Sequence, residues 1–204
     1  SGPRFNVVHV GAMNRDRNHP AFWETLASMR KDDPDFEREL KITLVGKLDH
    51  SVHLSLAEYQ LENCTEVIPS LPHNQVIPLL QSASVLYLPI NNTPNARSIA
   101  TGKIFEYLSA RRPIVGVGPV DGDAAEILNS CEAGQMIDFT DRKGMKKILA
   151  DWSLQHRQGK LDVSQAHNGL FQQPARIAGQ QADAQPDQGG DHGGGQPHEE
   201  RYPQ

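Results

Sequence analysis

Lys103 and Glu106 stand one helical turn apart in "TGKIFEYLSARRPIVGVGPVDGDAAEIL", residues 101 to 128. A lysine at a helix start, following the small Thr101 and Gly102 that leave backbone N–H groups uncovered, makes an anion site. Glu106, at i+3, shares that face one turn deeper. The same spacing also fits an intrahelical ion pair above a core stripe of Ile104, Phe105 and Leu108. A second candidate is "HVGAMNRDRNHPAF": Gly11 permits close approach of backbone to a ligand, and Arg15 or Arg17 can grip a phosphate bidentately. A plain solvated loop would carry the same residues. A third, "GPVDGDAAEIL", contains Asp121 and Asp123, readable as a metal-ligand pair. Asp123 with Glu126 three residues on reads better as a capping-box-like helix start.

Other chemistry is thin. No G-x-G-x-x-G or G-x-x-x-x-G-K-[ST] occurs, which argues against ordinary dinucleotide dehydrogenases and P-loop enzymes. His9 in "VVHVG" reads as a hydrogen-bonded core histidine, and His50 with His53 lacks a third ligand, so no metal site is expected. Net charge of -5 and pI near 6.0, with no basic run interleaved with aromatics, argue against nucleic acid as a partner. Cys64 and Cys131 have neither disulfide-framework nor zinc spacing, which suits a reducing, cytoplasmic setting. The longest apolar runs are too short to span a bilayer, so no integral membrane segment is expected. The start, "SGP", reads as a cleavage scar or an excised piece.

These loops need a frame that brings them together. Short β-branched runs at 5–11, 41–46, 65–69, 84–90, 113–118 and 134–139 alternate with helical patterns at 20–31, 52–60, 74–82, 100–110, 123–130 and 142–157. Such alternation with near-continuous apolar strands predicts a doubly wound α/β domain over 5–160. It is a Rossmann-like parallel sheet of about six strands with helices on both faces. Ligands bind such sheets beyond the carboxyl ends of the strands, where all three loops lie. From 161 to 204 the sequence turns to Gln, Gly, Pro and Asp, too poor in large apolar residues to offset ordering entropy, and reads as a disordered tail. Two origins fit: a natural low-complexity tail, or a reading-frame shift near residue 162 that sequencing the coding DNA would reveal. His192 there reads as solvated.

The segment "GKIFEYLSARRPIVGVGPVDGDAAEIL", with the preceding "VIPSLPHNQVIPLLQSASVLYLPI", resembles the donor-binding, C-terminal half of GT-B glycosyltransferases of the group that includes many bacterial cell-surface sugar transferases. The resemblance extends over roughly residues 5 to 150. It implies that Glu106 accepts hydrogen bonds from the donor ribose and that Lys103 with the helix start, Thr101 and Gly102, faces the diphosphate. It further implies that Arg17, in the loop after Gly11, is the basic group of the first strand's loop, and that Leu71 lies near the base. Arg17 and Lys103 would then be the catalytic cations. Ser98 stands eight residues before Glu106, where many members carry a glutamate, and Arg111 stands where they carry glycine at the helix end.

The resemblance implies the donor domain of an enzyme that moves a sugar from a nucleoside diphosphate sugar to an acceptor hydroxyl, with no cofactor and with retention of configuration. The parent would work at or near the inner face of the membrane. An N-terminal acceptor domain would be missing from this chain, leaving it inactive alone. The alternatives are a non-catalytic nucleotide-binding or regulatory module, and half of a nucleotide-sugar epimerase.

Overall fold

The computed structural model describes residues 4–161. The expectations for the tail and for His192 lie outside them. Six strands, β1 (Phe5–Val10), β2 (Leu40–Val45), β3 (Thr65–Ile68), β4 (Val85–Pro89), β5 (Ile114–Val117) and β6 (Gly134–Ile137), form one sheet in the order β3-β2-β1-β4-β5-β6. Every pairing is parallel. The helices are α1 (Pro20–Asp32), α2 (Pro34–Glu39), α3 (His50–Glu58), α4 (His73–Ser82), α5 (Lys103–Ala110), α6 (Asp123–Ser130) and α7 (Arg142–Arg157).

Strand alternation sends neighbouring side chains to opposite faces, and each face has its own core. Phe5, Val7, Val85 and Tyr87 pack with Phe22, Trp23 and Leu26 of α1 and Met145 and Leu149 of α7. Val8, Leu86 and Leu88 pack with Leu80 of α4, Ile104, Tyr107 and Leu108 of α5, and Leu128 of α6. The Phe22 and Tyr87 rings stack with centroids 4.0 Å apart. Side chains buried this fully contribute about 1.5–3 kcal/mol each, so the two cores hold the sheet as a rigid platform. Pro20 opens α1, where its missing N–H costs nothing.

Several expectations need correction. Phe105 is not in the core stripe of α5: it is exposed, and Tyr107 takes that place beside Ile104 and Leu108. The helix expected from residue 100 begins at Lys103, and a separate 3-10 turn, Ala96–Ser98, precedes it. The helix expected at 52–60 is α3, starting two residues earlier, because the Asp49 carboxylate caps Ser51 N–H. Helix α2 was not expected; the Asp33 carboxylate accepts from Asp35 and Phe36 N–H, and Pro34 sits at its first position. Asp123 is not the cap of α6. Gly122 is, in extended conformation and with no side-chain cap bond. A Cβ at Gly122 would lie 2.8 Å from the Arg97 carbonyl oxygen, so only glycine lets the two loops touch. Cys64 and Cys131 are both free, and no helix among the described residues is long and apolar enough to cross a membrane.

Candidate functional site

The strand order reverses between β1 and β4, which makes their carboxyl ends the topological switch point. Register between them covers only Val7–Val85 and Val8–Leu86. The crevice beyond is bounded by the loop after β1 and the loop from β4 to α5.

The first loop begins at Gly11, whose φ of 131° is open only to glycine. A Cβ there would lie 1.7 Å from Lys103 Cε and 2.4 Å from Nζ. The aliphatic chain of Lys103 thus crosses the space a side chain at Gly11 would fill and sets its ammonium over the end of β1. Arg17, in the 3-10 turn Arg15–Arg17, donates from Nε to Asn91 Oδ1 at 2.7 Å and from Nη1 to the Ala12 carbonyl at 3.0 Å. Asn92 N–H donates to the Asp16 carbonyl at 2.8 Å. His19 is buried; its Nε2 donates to the Ile90 carbonyl at 2.9 Å. These bonds tie the two loops together across the switch point.

Charge at this point is unbalanced. Neither Lys103 nor Arg17 has a carboxylate within 4.0 Å among the described residues. Burial, and then the neighbouring Arg17 charge, hold the Lys103 amine below its usual range, partly offset by Glu106. Two cations are therefore held close enough to repel, a disposition that an anion would relieve. No side chain caps α5, and a Cβ at Gly102 would meet open space, so the helix start is uncovered. The Thr101 hydroxyl is buried there without a hydrogen-bond partner.

The crevice gathers Gly11, Arg17, Thr101, Gly102 and Lys103. Glu106 lies exposed on α5 and forms no ion pair with Lys103, so the intrahelical pair allowed by spacing is not made. Leu71 lies in the loop between β3 and α4, half-buried against the α4–α5 core. Arg15 is exposed. Asp121 pairs with Arg97 at 3.1 Å, and no cluster of three or more His, Cys, Asp or Glu side chains suited to a metal occurs among the described residues. Sequence reasoning passed over Asn91, which holds Arg17, and Tyr107, whose hydroxyl accepts the Val10 N–H at 2.9 Å. The only signal for Tyr107 was a polar-tipped aromatic on the buried face of α5.

No protein-family model matches the sequence, and no curated protein matches it. Solved structures do. WaaG, a glycosyltransferase involved in lipopolysaccharide biosynthesis, superposes with a TM-score of 0.68 at 14% identity, over 85% of this chain and 44% of that one. The C-terminal domain of a glycosyl transferase group 1 family protein, LpcC, from Francisella tularensis gives 0.61 at 10% identity, over 84% of this chain and 87% of the domain. Anabaena HepE, solved with UDP and glucose, gives 0.57 at 16% identity, over 80% of this chain and 42% of that one. The chain therefore spans less than half of WaaG and HepE but most of the isolated LpcC domain. At these identities the likeness is one of fold alone, the fold that these glycosyltransferase structures share.

Proposed function

We propose that this chain binds the nucleoside diphosphate sugar donor of a glycosyltransferase and supplies the charges that stabilise the departing diphosphate. The observation that carries the reading is the Lys103 ammonium held over Gly11 beside Arg17, with no carboxylate to neutralise either, at the switch point of a GT-B domain.

The chemistry follows from that charge. As the bond between the sugar's anomeric carbon and the β-phosphate oxygen breaks, negative charge grows on the diphosphate. Lys103, Arg17 and the positive end of α5 meet it without reorganising, the role a divalent metal plays elsewhere. The Thr101 hydroxyl, buried without a partner, would donate to the same group. Glu106, free of Lys103, is available to accept from ribose hydroxyls, and Leu71 would flank the base. The acceptor hydroxyl would be presented by a second domain, so this chain alone would transfer no sugar. The involvement of WaaG in lipopolysaccharide biosynthesis favours an acceptor of the cell-surface class, and the parent would act in the cytoplasm at the membrane's inner face.

Glu106→Gln tests the reading in binding titrations. The substitution nearly preserves shape, and a hydrogen bond involving a charged group is worth about 1.5–3 kcal/mol, so nucleoside diphosphate affinity should fall roughly ten- to a hundredfold. Inorganic pyrophosphate, lacking ribose, should keep its affinity for Glu106→Gln and lose it in Lys103→Ala. If both ligands respond alike to both substitutions, the ribose assignment fails. Transfer of sugar by the purified chain to any acceptor would contradict the need for a second domain.

A further inference from the structure

The gap between β1 and β4 is closed by two buried side chains that the binding scheme leaves unused. His9 is 1% exposed, and its Nδ1 lies 3.1 Å from the Tyr87 carbonyl oxygen and 3.2 Å from the Tyr107 hydroxyl oxygen. A carbonyl only accepts, which puts the ring proton on Nδ1 and leaves Nε2 a bare acceptor, buried without a partner. The Tyr107 oxygen takes the Val10 N–H at 2.9 Å, a bond that β4 does not supply. Residues 9 and 10, immediately before Gly11, are thereby pinned to α5. The first residue of α5 is Lys103, whose chain crosses Gly11.

A position of this kind within a sheet core is ordinarily filled by an apolar residue at no polar cost. An orphaned ring nitrogen is unfavourable, so packing alone gives no reason for histidine here. Its surroundings give one. The Tyr87 carbonyl of β4 and the Tyr107 hydroxyl of α5 lie within bonding distance of it, and the charges of Lys103 on α5 and Arg17 in the first loop act on it. We propose that His9 and Tyr107 are positioning residues that lock the end of β1 to α5, so that Lys103 and Arg17 address one diphosphate together. The proposal rests on the diphosphate reading given above.

Burial, and then the Lys103 and Arg17 charges, hold the imidazole down to about 4 against the raising effects of its bond to Tyr87 and, more weakly, of the Gly11 backbone. The ring is thus neutral near pH 7 and does not add a third positive charge. A bound anion would offset both cations, so His9 should become easier to protonate when the site is filled.

The test titrates inorganic pyrophosphate into the full chain by calorimetry and follows the His9 ring by NMR across pH. The wild-type chain should bind, and its His9 should titrate at higher pH once pyrophosphate is present. Tyr107→Phe keeps the ring volume and removes one hydroxyl; it should bind pyrophosphate about five- to tenfold more weakly, the loss expected for one uncharged hydrogen bond. His9→Leu should behave similarly, and His9→Asn, which keeps an N–H close to the position of Nδ1, should recover most of the affinity. Thermal melts confirm that each variant is folded at the assay temperature. Undiminished binding by both Tyr107→Phe and His9→Leu, or an unmoved His9 titration on saturation, overturns the positioning role alone. No binding by the wild-type chain overturns the diphosphate reading and the positioning role with it.

Discussion

The seam between α1 and α7 and the crevice beyond β1 and β4 hold the same residue types to different ends. At the seam Arg142 reaches Glu24 at 2.5 Å and Lys146 reaches Asp32 at 2.5 Å, and at its end Arg157 reaches Asp33 at 2.9 Å and Glu39 of α2 at 2.7 Å. At the crevice the Lys103 and Arg17 charges oppose each other, and neither has a carboxylate within 4.0 Å among the described residues. Paired cations on a surface serve the fold, whereas cations packed together and left unpaired cost it stability that an anionic ligand can return. Cavity size does not make this distinction. A groove of about 760 Å³ lies at the other end of the sheet between Pro113, Glu132, Lys147 and Trp152. It faces away from the strands' carboxyl ends, where open α/β sheets bind ligands.

The largest expected effect is acid sensitivity. His9 and His19 are each lowered from 6.5 to about 4, in both cases chiefly by burial. Both rings are neutral when folded and gain a proton on unfolding between those values, so stability is full above pH 6.5 and is lost as pH falls toward 4. Linkage gives about 3 kcal/mol for each ring. Denaturant unfolding at a series of pH values should show an uptake of nearly two protons near pH 5 from these groups. A flat profile over that window would remove the claim that the crevice walls are fixed by neutral histidines.

Next is Gly11→Ala. A methyl group at φ 131° carries backbone strain of about 1–3 kcal/mol and must displace the Lys103 chain, so stability and pyrophosphate affinity should fall together. At the seam, Lys146→Ala should cost about 0.2–1 kcal/mol and leave ligand binding unchanged, since an exposed pair is screened. A seam substitution that weakened pyrophosphate binding would erase the contrast between the two regions.

The smallest change runs in the favourable direction. Arg111 ends α5 at φ 54°, ψ 47°, the left-handed conformation that glycine adopts freely. Arg111→Gly should raise stability by up to about 1 kcal/mol, measured as a shift in denaturant midpoint at unchanged slope. A loss of stability would show that the arginine side chain contributes more than its backbone costs.

The sheet, its two covers and the site loops were legible because strand and helix periods differ and parallel strands need crossovers. The strained end of α5 was legible only through the resemblance, which puts glycine where Arg111 stands. Other features depended on contacts no spacing reveals. Lys103 and Glu106 are placed to pair, yet the lysine turns to Gly11, far away in sequence. In "DGD" the choice of cap was settled by the Arg97 backbone lying against Gly122. Helix α2 has a single buried residue, Phe36, too little for a period, although Asp33 before Pro34 was a readable start. His9 was read correctly as a bonded core residue, but its link through Tyr107 to Lys103 needed the fold.

The proposed function requires that Lys103 and Arg17 hold a diphosphate. It is tested most directly by calorimetric titration of inorganic pyrophosphate into the wild-type chain, Lys103→Ala and Lys146→Ala at one ionic strength. Wild type and Lys146→Ala should bind equally, and Lys103→Ala roughly ten- to a hundredfold more weakly, as expected for loss of a hydrogen bond from a charged group. Equal affinity in all three, or no binding by the wild-type chain, would contradict it.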